Sequence, residues 1–246
     1  MSAAEHTRGA SKVRGVLFDL DDTLFDHRRS ARAALTAVHT AFASEADFAE
    51  FERRHAHYLE EMHLEVLAGR ATLEDARHER FRRVFAALGV TLDPADVYRA
   101  AETYRLGYSS ARRAIEGAVD LLADLRSSVA IAIVTNNLLG EQQDKLRVCG
   151  LTQYVDTLVA SEDVGTSKPD PEIFRIALER LGVRADEAVM VGDSWANDIE
   201  GARAAGIRTV WFNRYGHEQP STPPGVIAIN RLTPVDVTVP VILAAD

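Results

Sequence analysis

From residue 129 onward the chain alternates short apolar runs with amphipathic stretches, and this alternation restricts the fold more than any other feature. Val129–Thr135 (VAIAIVT), Tyr154–Ala160, Ala188–Asp193 (AVMVGD), Thr209–Phe212 and Val226–Ile229 read as strands. Leu138–Cys149, Pro171–Leu181 and Ala196–Ala205 read as the helices between them. The strand runs are apolar at successive positions, so both faces of each are covered, as in a parallel sheet with helices on either side. One earlier run, Val13–Leu20 (VRGVLFDL), has the same character and stops abruptly in the acidic residues Asp19, Asp21 and Asp22. The expected class is therefore α/β, with a Rossmann-like parallel-sheet core.

Between the first run and the others the period is helical throughout. Ala31, Leu35, Val38 and Phe42 form one stripe, Phe48, Phe51, Leu59, Met62 and Val66 a second, and Leu73, Phe81, Val84 and Leu88 a third. Thr72 with Asp75 resembles a capping box, Gly69 and Gly89 stand where helices should stop, and Asp93-Pro94 starts a fourth helix. Ile115–Leu125 is a further amphipathic helix. Residues 27–112 are thus expected to be an all-α four-helix-bundle insertion, and residues 1–26 and 113–246 the α/β core. The segment His217–Gly225 (HEQPSTPPG) reads as a Pro-rich surface loop, whereas residues 230–246 carry no decisive pattern.

Charge narrows the function. The 246 residues contain 28 Lys+Arg against 37 Asp+Glu, a formal net charge of -9, which disfavours a nucleic-acid partner because phosphate backbones demand surplus cations. Residues 1–12 have no apolar core of a leader, and no run is long enough to span a bilayer, so a cytoplasmic protein with no membrane partner is expected. The lone Cys149 forms no intrachain disulfide and provides no cysteine cage for zinc. It reads as small apolar filler.

Ligands of open parallel sheets bind beyond the carboxyl ends of the strands, and four of those ends are polar here. They carry Asp19-Leu20-Asp21-Asp22-Thr23, Thr135-Asn136-Asn137, Gly165-Thr166-Ser167-Lys168-Pro169, and Gly192-Asp193-Ser194-Trp195-Ala196-Asn197-Asp198. Any one of these aspartates alone reads as a cap or turn former. Together they are a cluster of carboxylates that repel one another unless a cation compensates, and hard oxygen ligands select magnesium.

The ordered set DLDDT, strand-Thr135-Asn136, Lys168-Pro169 and GDSxxND resembles the four motifs of the haloacid dehalogenase superfamily, over residues 13–25 and about 113–215. The resemblance implies a mobile helical cap of the C1 type at residues 27–112; the stretch from Asn136 to Lys168 is too short for a C2 cap. It also implies roles. Asp19 is the nucleophile and Asp21 the general acid and base, while Mg²⁺ is held by Asp19, Asp21 and Asp193. Asp198 is a ligand, or acts through water or Lys168. Thr135, Lys168 and Asn136 contact the phosphoryl group. A carboxylate nucleophile suits this chemistry because it is ionised at neutral pH without a neighbouring base. Asp22, Ser194 and Asn197 read as turn and helix-start residues.

Dehalogenases and phosphonatases of the superfamily lack the second acidic residue, so Asp21 implies a phosphatase acting on a small phosphorylated metabolite, as monomer or homodimer. A phosphomutase shares the first half-reaction, and a 2-haloacid dehalogenase shares the fold. From other classes, a phospho-receiver-like module is disfavoured by the helical insertion, and a silent binding module by the intact motifs. Substrate selection is expected from the insertion, with Arg28 and Tyr108 as the named candidates among Phe25, His27, Arg29, Arg32, Tyr104 and Arg105. Segments 161–165 and 210–214 resemble nucleotidase-like members of subfamily IA, which implies nucleoside monophosphates as candidate substrates. His55, His57 and His63 do not converge on a metal.

Overall fold

A computed structural model describes residues 12–220 and 226–244. The polar start expected to lack a leader, residues 1–11, and part of the expected Pro-rich loop, residues 221–225, lie outside the described residues. By density of contacts the chain divides into two units, one comprising the chain up to Asp26 and from Ala114 on, the other His27–Arg113.

The first unit is built on β1 (Gly15–Phe18), β2 (Ala130–Thr135), β3 (Thr157–Ala160), β4 (Ala188–Gly192), β5 (Arg208–Phe212) and β6 (Ile227–Ile229). All pairings are parallel, in the order β3-β2-β1-β4-β5-β6. Central β1 pairs on both sides, Leu17 standing opposite Ala132 and Met190. Every β1 and β4 residue is buried, which is why those segments are apolar without alternation. This is the α/β parallel-sheet class that the sequence predicts.

The second unit contains α1 (His27–Phe42), α2 (Phe48–Leu67), α3 (Leu73–Ala87) and α4 (Pro94–Ala111). Their starts are chemically specified: Asp47, Thr72 and Asp93 accept from the N–H of Glu50, Asp75 and Asp96, and Pro94 occupies the first turn. Leu35, Val38, Phe51, Phe81, Val84, Phe85 and Tyr104 form this unit's own core.

In the first unit, α5 (Ala118–Leu125), α6 (Leu139–Val148), α7 (Ser161–Val164), α8 (Pro171–Leu181), α9 (Gly201–Ala204) and α10 (Val235–Leu243) complete the layers. Ile173, Phe174 and Ala177 of α8 pack on Leu17, Val134 and Val159 of the sheet. Three local departures from expectation have physical causes. The start of Tyr154–Ala160 is a 3₁₀ turn, Thr152–Tyr154. The helix expected from Ala196 begins as a π-helical turn, Trp195–Glu200, in which Ile199 N–H reaches back to Ser194 C=O at 3.3 Å; such widened turns concentrate at functional sites. Finally, residues 230–246 hold α10, whose β-branched residues and internal Pro240 disguise a helix. Among the described residues no helix is long and apolar enough to cross a membrane.

Candidate active site

The strand order reverses beside β1: the chain winds outward through β2 and β3, then restarts on the other side with β4. The crevice beyond the carboxyl ends at such a switch point is the ligand site of open parallel sheets. Asp19 leaves β1 there, its N–H donating to Val191 C=O at 3.0 Å. Asp193 leaves β4 beside it, and Thr23 Oγ1 donates to Asp193 Oδ1 at 3.4 Å. The chain after Asp19 turns sharply: Leu20 C=O accepts from the N–H of Thr23, Leu24 and Phe25, and Asp22 has a left-handed φ of 62°. Aspartate is among the few non-glycine residues that tolerate this conformation. Asp22 is thus a turn residue by conformation.

Lys168 joins two of the carboxylates. Its Nζ donates to Asp19 Oδ1 at 2.6 Å and to Asp198 Oδ1 at 2.7 Å. Asp198 is 0% exposed, and its Oδ2 accepts from Ser194 N–H at 2.9 Å. The π turn makes this possible by carrying Asp198 back under the end of β4. One oxygen from each of Asp19, Asp193 and Asp198 lies within 4.8 Å of the others.

The electrostatics are unbalanced. Burial pushes the Asp19 carboxyl up to about 7, with Lys168 opposing the rise and Asp198 and Asp21 adding to it. Burial also pushes Asp193 up to about 8, reinforced by Asp19, Asp198 and Asp22. Burial works against the charge of Lys168, but Asp19 and Asp198 outweigh it and hold the ammonium above its ordinary range. One lysine against three crowded carboxylates leaves the group short of positive charge. The donor set is entirely oxygen, which fits a hard divalent cation such as Mg²⁺.

The family model for haloacid dehalogenase-like hydrolases matches residues 13–206. The chain belongs to that family. It is 34% identical over 201 residues to a ribulose-1,5-bisphosphate 5-phosphatase of Halopiger xanaduensis, covering 80% of this chain and 84% of that protein. It is 32% identical over 208 residues to the pyrimidine 5'-nucleotidase YjjG of Escherichia coli, covering 83% and 88%. Among solved structures, the HAD-hydrolase YfnB of Bacillus subtilis, bound to magnesium, superposes with a TM-score of 0.70 at 26% identity, covering 90% of this chain and 96% of that one.

In this haloacid dehalogenase-like hydrolase the remaining expected residues fall into three groups. Thr135 ends β2, is buried, and its Oγ1 accepts from Gln142 Nε2 at 3.2 Å. Asn136, expected as a phosphoryl contact, has its amide bonded in both directions to the backbone of Lys168. Asp21 differs from its expected place. Its carboxylate is not in the three-carboxylate group and is instead bonded by Lys145 Nζ at 2.6 and 2.8 Å, Gln142 Nε2 at 3.0 Å and Asn137 Nδ2 at 3.3 Å. Arg28 and Tyr108 belong to the helical unit, Arg28 exposed on the first turn of α1 and Tyr108 with its hydroxyl 2.8 Å from His27 Nδ1. His55 is buried between the rings of Phe81 and Tyr104.

Lys145 and Gln142 escape a reading of the sequence. They sit in a stretch, Leu139–Val148, whose many polar residues look solvated, and only their three-residue spacing, which puts them on one helical face, hints at a shared target.

Proposed function

We propose that this hydrolase is a Mg²⁺-dependent phosphatase that hydrolyses small phosphomonoesters through an aspartyl-phosphate intermediate, working in the cytoplasm as a monomer or homodimer. The observation that carries this reading is the switch-point group of Asp19, Asp193 and Asp198, short of positive charge and bridged by Lys168. A nucleophile, an acidic cation site and a fixed lysine are the parts that phosphoryl transfer requires.

Asp19 would attack phosphorus, forming the acyl phosphate as the P–O bond to the leaving group breaks. Asp21 would give that alkoxide its proton, then accept one from the water that attacks the acyl phosphate, releasing phosphate and restoring the Asp19 carboxylate. Thr135 accepts from Gln142 and so keeps its own proton to donate to a phosphoryl oxygen. Lys168 balances the charge of Asp19 and of the phosphoryl group. Asp19 and Asp193 would hold the cation, together with Asp21, which the family resemblance implies as a further ligand. Asp198, with both oxygens already accepting, would act through Lys168 and the Ser194 N–H. When bound, Mg²⁺ supplies the positive charge that offsets repulsion between an anionic nucleophile and an anionic substrate.

The two curated relatives differ in leaving group and share phosphomonoester hydrolysis, so that chemistry is what we carry over. Nucleoside monophosphates and sugar phosphates are the candidate substrates. The decisive experiment is turnover of p-nitrophenyl phosphate by wild type and Asp19→Asn, with Mg²⁺ and with EDTA. Activity should require both Asp19 and the metal; Mg²⁺-dependent turnover retained by a folded Asp19→Asn protein would end the proposal. A panel of phosphorylated metabolites then ranks substrates.

A further inference from the structure

Lys145 is a second buried lysine in the α/β unit, and the chemistry described above leaves it without a role. Its side chain is 5% exposed, against 25% for its partner Asp21. The ammonium donates to both Asp21 oxygens, at 2.6 and 2.8 Å, and lies 5.1 Å from the centroid of the Phe25 ring. One turn earlier on the same face of α6, the buried Gln142 uses a single amide nitrogen twice. It donates to Asp21 Oδ2 at 3.0 Å and to Thr135 Oγ1 at 3.2 Å. Asp19 and Asp21, two residues apart in one loop, are therefore held by different lysines from different elements.

We propose that Lys145 and Gln142 are positioning residues for Asp21. Lys145 draws the Asp21 carboxylate away from the Asp19, Asp193 and Asp198 group, where a fourth negative charge would be repelled. Gln142 ties that position to Thr135, so the group that serves the leaving oxygen and the group that grips the phosphoryl share one donor. A buried ammonium is costly unless paired with good geometry, and a surface tie between helix and loop needs neither the burial nor the two-oxygen contact. Reactions in which one carboxyl must meet first a leaving group and then a water depend on that carboxyl staying in place, because small misplacements are expensive in rate.

The inference rests on the phosphatase reading, since it presupposes Asp21 as the leaving-group acid. The test uses the full chain with Mg²⁺ and two probes of unequal leaving group, p-nitrophenyl phosphate and phenyl phosphate. Wild type is compared with Lys145→Met, Lys145→Arg, Gln142→Met, Asp21→Asn and the double variant Asp21→Asn/Lys145→Met. Lys145→Met should lower kcat on phenyl phosphate about 100-fold and on p-nitrophenyl phosphate about 10-fold, with KM little changed. Lys145→Arg should recover part of the loss, and Gln142→Met should show the same leaving-group bias more weakly. In the Asp21→Asn background, Lys145→Met should cost less than about twofold.

Equal losses on both probes, or an undiminished loss in the Asp21→Asn background, would reduce Lys145 to a tie between α6 and the loop and overturn the proposal. If Lys145→Met does not fold, as judged by circular dichroism, Gln142→Met and Lys145→Arg decide by the same comparison: absence of leaving-group bias in both overturns it. A single Asp21→Asn variant without leaving-group bias would instead bring down the role of Asp21 itself, which separates failure of the phosphatase reading from failure of this inference.

Discussion

Asn136 holds the backbone of Lys168 in both directions, its Nδ2 donating to Lys168 C=O and its Oδ1 accepting from Lys168 N–H, each at 2.7 Å. The end of β2 thereby fixes the loop that carries the lysine, and the lysine in turn reaches Asp19 and Asp198. The chain of contacts runs from a strand end, through one amide, to the nucleophile.

Removing that amide should therefore affect rate more than stability. Asn136→Ala loses two side-chain to backbone hydrogen bonds, about 1 kcal/mol each, so a modest drop in denaturant midpoint is expected. Displacement of Lys168 by a fraction of an ångström to one ångström should lower kcat on p-nitrophenyl phosphate by about 10- to 100-fold. A variant with wild-type kcat would show that Lys168 is held by its ion pairs alone.

Gly192 leaves no room for a side chain, since a Cβ there would fall 2.3 Å from Asp198 Oδ2 and 2.4 Å from its Cγ. Gly192→Ala must displace Asp198 from Lys168 and from the Ser194 N–H. A stability loss of about 1–3 kcal/mol is expected from overpacking, together with near-complete loss of turnover. Gly140 in α6 is the control: a Cβ there meets nothing within 4 Å, so Gly140→Ala should be neutral or stabilise by up to about 1 kcal/mol. Thermal melts and kinetics on both variants check this, and an active Gly192→Ala enzyme would remove Asp198 from the catalytic arrangement.

The strands were legible because a parallel sheet buried on both faces writes itself as unbroken apolar runs, as in VAIAIVT and AVMVG. The helix start was legible at Asp93-Pro94 because a cap and a first-turn proline are local chemistry. The carboxylates were legible because they stand at strand ends. What was hidden depends on tertiary contact. Beyond its spacing from Gln142, nothing local distinguishes Lys145 from a solvated lysine, and the bonding of Asn136 to Lys168 joins residues far apart in sequence. The π turn at Trp195–Glu200 carries Asp198, whose partner Lys168 lies far away in sequence, and α10 is made of residues that favour strands.

The carboxylate group should make metal binding and pH interdependent. Without metal, Asp19 and Asp193 have their pKa values raised from 3.8 to about 7 and about 8, burial being the main cause. The folded protein then holds protons that the unfolded chain releases. This contribution to stability is full below the unfolded value near 3.8 and is lost as pH rises through 7 to 8. Mg²⁺ binds the deprotonated group and should reverse the trend, so the Tm increase on adding Mg²⁺ should be larger at ~pH 8 than at ~pH 5, with proton release on binding. Equal Tm increases at both pH values would contradict a metal site at Asp19 and Asp193.

His55 should make the helical unit sensitive to acid. The ring is 2% exposed, lies 4.8 Å from Tyr104 and 5.4 Å from Phe81 by centroids, and its Nε2 has no hydrogen-bond partner among the described residues. Burial, then the charges of Arg80 and His27, hold its pKa well below 6.5. It is therefore neutral when folded, while the unfolded chain takes up a proton below 6.5, so stability falls as pH drops through that value. His55→Phe keeps a ring in the cluster and removes both the titration and the unsatisfied nitrogen. The variant should be about as stable as wild type near pH 7, because deleting an unpaired buried polar atom costs little, and should lose less stability on acidification. Urea unfolding of both proteins from neutral to mildly acid pH measures the difference, and identical slopes would show that His55 becomes protonated without unfolding the unit.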